Sequence, residues 1–414
     1  MMIGQEIHAV GLDIGTSRVR CVIGEPDDKG KLNIVGFGEA DSKGLRRGIV
    51  TTAGSVVDSI KKAVAEAERV SGLEVQMATV NFSGEHLQGE NKSGVVAVAG
   101  AEREIVSEDV ERAIDSASAI QLPTGWEIVD RLPQEFIIDG QDGIIEPVGM
   151  RGARLEALVH VVTSPSAGRQ NIVKAIYNSG LEVEQIILEP LAAAASTLSD
   201  EDREYGCALV NIGSEITSLM IFGRGAVQHT AVFPFGGMNF TKDIATGLRV
   251  SIPDAEKIKT KEGCVAGFLL DDDEKQQIIE ITPVGRSETR QLTKEILCDV
   301  LQPRAVELLQ HIANEILRVQ AQISSGVVLT GGSAGIRGIV EIAEQVFDSP
   351  TRVGLPREDR FGGMVDNLND PEWAVGTGLA WTAMTSQINA LAGGDRSTAQ
   401  RVAEWFESFR TKFR

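Results

Sequence analysis

The sequence predicts an α/β protein with two related mixed-sheet cores, an inserted α+β subdomain and a C-terminal amphipathic helix. Two strand-rich stretches, about 200 residues apart, repeat the same order of apolar, glycine and hydroxyl residues. The residues between them have a different texture, which indicates a separate subdomain. The chain has 414 residues, and single hydrophobic cores stop growing near ~250 to 300 residues. We therefore expect at least two domains.

The first core begins with a meander of three strands at residues 7–14, 19–23 and 32–37. Apolar residues alternate with others in the second strand, which is the pattern of a half-buried strand. A helix follows at residues 55–70, where apolar residues recur at helical spacing between lysines and glutamates. The start of the chain is thus predicted to be a sheet covered by a helix.

A turn of small residues, Gly15, Thr16 and Ser17, joins the first two strands, and Asp13 precedes it. Glycine lets a ligand approach the backbone closely, and backbone amides with hydroxyls can surround a phosphate. We expect Asp13 to contact Mg²⁺ through water. The same residues also occur in ordinary hairpins, so this turn alone leaves both interpretations open.

The second strand-rich stretch carries a matching turn, in which Asn211 is followed by Gly213 and Ser214. Two such turns facing each other can hold an anion between domains, where ligand sites are common. The ordered repetition favours a phosphate site over two unrelated hairpins.

A third glycine-rich turn, Gly331, Gly332 and Ser333, follows a buried-type strand at 326–330 and precedes a helix at 335–347. Small residues at 376–379 open another helix and allow close packing. Each glycine by itself also fits a helix cap or a turn. The set of three turns in this order favours an anion site between domains over three unrelated caps and turns.

The stretch of residues 86–163 predicts the inserted α+β subdomain. A helix is expected at 107–120, with Ser107 as its capping residue and Glu108 and Asp109 in its first turn. Strands punctuated by glycine and proline follow it.

The C-terminal segment, residues 401–414, predicts a helix that lies on a membrane surface. It follows a polar linker at 391–400 that contains two glycines, and it carries net charge +2 on a chain of net charge −19. A strong apolar face with aromatic anchors and a basic end suits an anionic lipid surface. Docking on the chain's own core or on a partner protein is the alternative. The residues of the predicted membrane contact are Val402, Trp405, Phe406, Phe409, Arg410, Lys412 and Phe413.

Composition excludes several classes of protein. The acidic balance, 40 basic against 59 acidic residues, disfavours nucleic acid as a partner. The four cysteines include no C-x-x-C pair, which indicates buried thiols in a reducing compartment. No export signal or membrane-spanning stretch is present in the sequence, so we expect a cytoplasmic protein.

Two further motifs are rejected. Residues 331–335 match the G-x-S-x-G elbow of serine hydrolases, but all five histidines precede Ser333, whereas that fold places its histidine after the serine. Residues 36–41 fail the dinucleotide-binding fingerprint at its last glycine.

The order of first turn, connector at 189–192, second turn, third turn and second connector at 374–376 resembles the actin/Hsp70/sugar-kinase superfamily. Residues 131–140 and 149–160 resemble the subdomain that distinguishes the FtsA family of bacterial cell-division proteins. The resemblance implies an actin-like two-domain fold that binds ATP and Mg²⁺. It further implies that Gly237, Glu256 and Lys259 contact the nucleotide and that Glu189 orders a water molecule. Asn211 replaces the usual aspartate, so we expect weak or absent hydrolysis.

The resemblance also implies partners. A small cap subdomain would bind the C-terminal peptide of FtsZ, with Arg304 as a contact. The subunits would associate into filaments on the inner face of the cell membrane and recruit other division proteins. A small-molecule kinase or phosphatase of the same superfamily, or a pilus-assembly actin relative, remains as an alternative.

We expect the following domain limits. The large domain comprises 1–85, 164–200 and 350–390, with the inserted subdomain at 86–163. The second core comprises 201–240 and 311–349, with the cap at 241–310.

Overall fold

A computed structural model describes residues 7–99, 102–285 and 288–391 of the chain. The predicted membrane helix, with Val402, Trp405, Phe406, Phe409, Arg410, Lys412 and Phe413, lies outside the described residues, as does all but the first residue of the predicted linker. Those interpretations stay predictions.

The described residues form the following strands and helices, numbered in chain order. The strands are β1 (Ala9–Ile14), β2 (Arg18–Pro26), β3 (Leu32–Asp41), β4 (Leu45–Arg46), β5 (Ile49–Val50), β6 (Met77–Phe82), β7 (Gln88–Ala97), β8 (Trp126–Ile138), β9 (Gln141–Ile144), β10 (Arg154–Pro165), β11 (Glu182–Leu188), β12 (Cys207–Ile212), β13 (Thr217–Gly223), β14 (Ala226–Phe233), β15 (Ile278–Ile281), β16 (Arg290–Thr293), β17 (Val327–Thr330), β18 (Thr351–Val353) and β19 (Phe361–Gly363). The helices are α1 (Ala53–Ser71), α2 (Ser107–Ser118), α3 (Ser166–Asn178), α4 (Glu189–Thr197), α5 (Asp200–Tyr205), α6 (Gly237–Leu248), α7 (Ile252–Glu262), α8 (Asp272–Gln276), α9 (Lys294–Arg318), α10 (Ile339–Phe347) and α11 (Ala374–Leu391).

The first lobe, as we call it, is the six-stranded sheet β11-β6-β1-β2-β3-β19 with its helices. Strand β1 pairs antiparallel with β2 and parallel with β6. Side chains alternate between the two faces of a strand, so Val10 and Leu12 join the core that includes α1, whereas Ala9 joins the core that includes α11. Burial on both faces explains why β1 is apolar throughout apart from Gly11 and Asp13.

The second lobe is the five-stranded sheet β14-β13-β12-β17-β18 with its helices. Strand β12 pairs antiparallel with β13 and parallel with β17, as β1 does with β2 and β6. The repeat in the sequence therefore corresponds to a repeat in the topology. The hairpin of β15 and β16 shares the core of this lobe with α6 and α9.

The inserted subdomain is a third sheet, with the order β7-β10-β8-β9 and α2 packed on one face. Helix α2 begins as predicted, but the prediction that Ser107 caps it is wrong. Val106 occupies the capping position, and its backbone N–H donates to the Asp109 carboxylate at 3.2 Å. The Asp109 carboxylate thus supplies the N3 half of a capping box, while the Asp109 N–H donates to the Val106 carbonyl at 3.0 Å instead of to a hydroxyl.

The helix after the third glycine-rich turn begins later than predicted. Residues Gly332–Gly335 form a 3₁₀ turn, and α10 starts only at Ile339. Gly338 has φ +87°, which lies outside the right-handed helical region, so the helix cannot begin before it.

All four cysteines are buried in these cores, at Cys21, Cys207, Cys264 and Cys298. Among the helices of the described ranges, none combines the length and apolarity required to cross a bilayer.

Candidate functional site

The first two glycine-rich turns have the same backbone geometry. The Gly15 N–H donates to the Arg18 carbonyl at 3.0 Å, and the Gly213 N–H donates to the Ile216 carbonyl at 3.0 Å. A Cβ atom at either glycine would lie 2.9 Å from that same carbonyl oxygen, which is closer than real Cβ contacts. Thr16 and Ser214 follow these glycines and are half-buried, while Ser17 is exposed.

Asp13 is buried at the end of β1 and is held by a neighbouring strand. The Asn81 side-chain amide donates to Asp13 Oδ1 at 2.8 Å, and Asn81 Oδ1 accepts from the Ile14 N–H at 2.8 Å. Burial raises the pKa of Asp13 to about 6, although the nearby Arg20 guanidinium lowers it. Because burial disfavours the ionised form of this carboxyl, a cation beside it would stabilise the carboxylate.

Glu189 lies between the lobes, as the first residue of α4. The Ser218 hydroxyl of β13 donates to Glu189 Oε1 at 3.4 Å, and Ser83 of the first lobe also donates to this carboxyl. Burial, followed by the Asp13 charge, raises the pKa of Glu189 to about 8. Asp13 of the first hairpin and Ser218 of the second therefore both lie near one buried carboxyl, whose ionised form is disfavoured by burial.

Asn211 occupies the position in β12 that Asp13 occupies in β1. It is buried, and its Oδ1 has no hydrogen-bond partner among the described residues. A Cβ atom at Gly331 would lie 2.3 Å from this oxygen, so only glycine leaves room there. A buried acceptor without a partner is costly, and a ligand that donates to it, such as a cation-bound water, would satisfy it.

Gly237 brings the second and third turns together. Its N–H donates to the Gly213 carbonyl at 2.8 Å, and a Cβ atom on it would lie 2.3 Å from Ser333 Oγ and 3.4 Å from Lys259 Nζ. The predicted contacts Gly213, Gly237, Lys259 and Ser333 are therefore neighbours in space.

Lys259 is buried and fully engaged with its own lobe. Its ammonium donates to the Gly237 carbonyl at 3.2 Å, to Thr241 Oγ1 at 3.1 Å and to Glu256 Oε2 at 2.8 Å. Glu256 thereby lies beside the site with its carboxylate bound to lysine. Gly332 lies at the edge of the same region, because a Cβ there would be 3.8 Å from Glu372 Oε2.

Sequence reasoning missed several polar residues that shape this region. Arg20 of β2 binds Glu372, lies 3.5 Å from Glu39 and has its guanidinium 5.3 Å from the centre of the Trp373 ring. Burial raises the pKa of Glu372, against the effect of Arg20. The sequence signal that could have identified Arg20 is a charged residue inside a buried strand. For Asn81 it is a polar residue inside an apolar strand.

The residues present fit a nucleotide phosphate with a hydrated cation. Two turns share one tight glycine geometry, two buried carboxyls with raised pKa values lie nearby, and Asn211 presents an unsatisfied oxygen. In the described ranges no group of three or more His, Cys, Asp and Glu side chains could ligate a metal directly.

Arg304, the predicted peptide contact, lies on α9 and is not free. Its Nε and Nη2 donate to Asp243 at 2.6 and 3.1 Å, and its Nη1 donates to Glu307 at 2.5 Å. A cavity of about 560 Å³ runs along the same helix and is lined by Asp299, Gln302, Pro303, Val306, Glu307, Gln310, His311 and Asn314.

Comparisons with known proteins identify the family. The model of the family described as cell division protein FtsA matches residues 208–378, and that of the SHS2 domain inserted in FtsA matches residues 84–163. The second match falls on the inserted sheet.

A relative in Pseudomonas aeruginosa, named cell division protein FtsA, is 39% identical over 92% of this chain and 91% of its own length. Among solved structures, a PilM–PilN type IV pilus biogenesis complex gives a TM-score of 0.67 at 18% identity, covering 92% of this chain and 99% of that one. MreB5 of Spiroplasma citri bound to AMPPNP gives 0.57 at 15% identity, covering 94% and 100%. These likenesses confirm the predicted actin-like α/β fold with its inserted subdomain. The chain belongs to the FtsA family of cell division proteins.

Proposed function

We propose that this protein binds ATP with Mg²⁺ between its two lobes. The observation that carries the proposal is the pair of like turns, at Gly15 and Gly213, with the buried Glu189 carboxyl near Asp13 of one hairpin and bonded to Ser218 of the other. Bound Mg²⁺ would supply positive charge to the phosphates, with Asp13 and Asn211 as its contacts through water. Gly237, Ser333 and the pair of Glu256 and Lys259 would adjoin the nucleoside.

Hydrolysis is weak or absent in this proposal. A carboxyl that deprotonates water must be ionised, and burial disfavours the ionised form of Glu189 by raising its pKa to about 8. Asn211 is a neutral amide and binds a cation-linked water less strongly than the aspartate it replaces. The nucleotide would then act as a ligand that holds the lobes together.

The cellular role that we propose is to anchor FtsZ filaments to the inner face of the cytoplasmic membrane. Family membership supports a role in division over the small-molecule kinase and pilus-assembly alternatives. The aromatic and basic sequence of residues 401–414 supports the attachment to anionic lipid. Self-association into filaments and recruitment of other division proteins belong to the same proposal.

The groove along α9 is our candidate for the FtsZ peptide. Arg304 is paired with Glu307, which lines the groove, and an arginine fork suits carboxylates. Because Arg304 is bound to Asp243 and Glu307, an acidic peptide would have to exchange with these carboxylates.

The test is sedimentation with vesicles of phosphatidylcholine and phosphatidylglycerol, with a fluorescent FtsZ C-terminal peptide present. We expect the full chain to sediment and to carry the peptide with it. A chain ending at Ala392 and the variant Trp405→Glu should both stay in solution. Thr411→Glu adds the same charge on the opposite predicted face and should still sediment.

If the full chain and the truncated chain behave alike, the membrane role fails. If the full chain sediments with the vesicles and the tail variants do not, but the peptide stays in the supernatant, the FtsZ role fails instead.

A further inference from the structure

A chain of three charged residues connects the lobes beside the phosphate turns. The backbone N–H of Arg47, in the turn between β4 and β5, donates to Glu215 Oε2 of the second lobe at 2.8 Å. The Arg47 guanidinium donates to Glu85 of the first lobe at 3.0 Å. We call Arg47, Glu85 and Glu215 the clasp. Nothing in the local sequence signals it, since 168 residues separate Arg47 from Glu215.

The backbone of this turn is held in an unusual conformation. Arg47 has φ +49°, in the left-handed region that residues other than glycine seldom adopt. The next residue, Gly48, has φ +77°, and a Cβ atom there would lie 2.7 Å from the Ser83 carbonyl oxygen. Such strained positions persist only where their surroundings fix them, and they are concentrated at functional sites.

Both ends of the clasp connect directly to the proposed nucleotide site. Glu215 follows Ser214 in the second phosphate turn. Glu85 lies two residues after Ser83, whose hydroxyl donates to the buried Glu189 carboxyl between the lobes. A movement that separates the lobes at the phosphates must therefore break the Arg47 to Glu215 hydrogen bond.

We propose that the clasp holds the lobes closed at the phosphate turns and thereby limits the rate at which bound nucleotide leaves. This inference rests on the proposed ATP site, although the clasp itself consists only of contacts within the chain. Glu215 is the residue on which it depends, because its carboxylate is the acceptor that crosses between the lobes. The clasp has two arms, the Arg47 to Glu215 bond and the Arg47 to Glu85 bond. Arg47 uses its backbone N–H in the first, so its side chain takes part only in the second.

The variants separate the two arms. Glu215→Ala removes the acceptor, and Glu215→Gln keeps an amide oxygen in its place. Arg47→Gly keeps the N–H and suits the positive φ while losing the arm to Glu85. Glu201→Gln, on the exposed surface of α5, is the matched control.

Two measurements are made on the full chain. The first is hydrogen exchange of the nucleotide-free protein, followed in peptides that cover residues 45–50. The second is the dissociation rate of a fluorescent ATP analogue, measured by stopped flow with excess unlabelled ATP. Loss of a hydrogen bond to a charged group should raise both rates by about tenfold in Glu215→Ala. Glu215→Gln and Arg47→Gly should show smaller increases, and Glu201→Gln none.

The outcomes distinguish this inference from the proposed function. Faster exchange in Glu215→Ala with an unchanged dissociation rate would overturn the inference, as would no change in either. If the wild-type protein binds no ATP analogue, the proposed function fails. The inference then fails with it, because there is no bound nucleotide whose release the clasp could limit. Equal melting temperatures of the variants exclude general unfolding as the cause of a faster rate.

Discussion

His160 is buried where the inserted sheet meets β14 of the second lobe. Its Nδ1 lies 2.5 Å from Asn91 Oδ1 and its Nε2 lies 2.9 Å from Thr230 Oγ1. Nδ1 therefore donates to the amide oxygen, and Nε2 accepts from the hydroxyl. Burial, and then the nearby His229, lower the pKa of His160 from 6.5 to about 4. The folded protein thus holds this ring neutral at pH values where a free histidine is charged.

This lowered pKa predicts a loss of stability in mild acid. Between about pH 6.5 and about pH 4 the unfolded chain binds a proton that the folded chain does not, so the free energy of unfolding falls as pH falls. Relative to His160→Gln, which has no such proton, the wild type should lose about 2 kcal/mol on going from about pH 7 to about pH 5. Urea unfolding at both pH values measures this difference.

The exposed His311, changed to Gln, is the control for general effects of removing a histidine. A wild type and a His160→Gln variant that lose stability in parallel would contradict the prediction.

At the scale of elements, α11 lies unusually close to its neighbours. A Cβ atom on Gly378 would lie 1.8 Å from the Ala192 carbonyl oxygen of α4, and one on Gly11 of β1 would lie 2.4 Å from the Gly376 carbonyl oxygen. Glycine is therefore required at 378 by contact with the backbone of α4, and at 11 by contact with the backbone of α11.

Gly378→Ala should accordingly destabilise the fold. Helix propensity alone would favour alanine by about 1 kcal/mol, but the clash forces α4 and α11 apart, and overpacking typically costs about 1 to 3 kcal/mol. We expect a net loss of about 2 kcal/mol in urea unfolding. Gly54→Ala in α1 has nothing within 4 Å of the new methyl group and should be neutral or stabilising. Equal effects of the two changes would show that the close approach is not maintained in solution.

The helices and strands also show which features of the fold can be predicted from the sequence. Helix α1, predicted at 55–70 from its apolar spacing, spans Ala53–Ser71. The two glycine-rich turns at Gly15 and Gly213 could be found because a repeat in the sequence exposes them. The pairing of Asp13 with Asn81 and of Arg20 with Glu372 could not, because these partners are far apart in the chain and each looks unremarkable in its own segment. The spacing of apolar residues predicts which face of a helix or strand is buried. It does not predict which two polar side chains will form a hydrogen bond.

At the scale of the whole molecule, the inserted subdomain connects the lobes. Its strands continue from the first lobe, yet it packs on the edge strand β14 of the second. The Gln134 side chain donates to the Val227 carbonyl at 2.8 Å, and that of Asn91 donates to the Gln228 carbonyl at 3.1 Å. Together with the clasp, these contacts make the cleft between the lobes part of one connected structure.

A nucleotide in that cleft should therefore stabilise the molecule as a unit. At a concentration of 100 times its Kd, Mg²⁺-ATP should add about 2.7 kcal/mol to the free energy of unfolding. Gly237→Ala places a methyl group against Ser333 Oγ and should reduce this gain, whatever its own effect on stability. Gly335→Ala, with nothing within 4 Å, should keep it. Urea unfolding with and without the ligand gives the increments, and identical increments in the two variants would argue against the site.

The four buried cysteines have a practical consequence. Cys21 belongs to the core of the first lobe, Cys207 to the core beneath β12, and Cys264 and Cys298 to a small cluster against α9. Burial raises the pKa of Cys21 to about 12, so this thiol reacts only when its surroundings open. The rate at which each cysteine is alkylated, read by mass spectrometry, would then report local opening of each region separately. The four cysteines can therefore serve as natural probes of which region opens first.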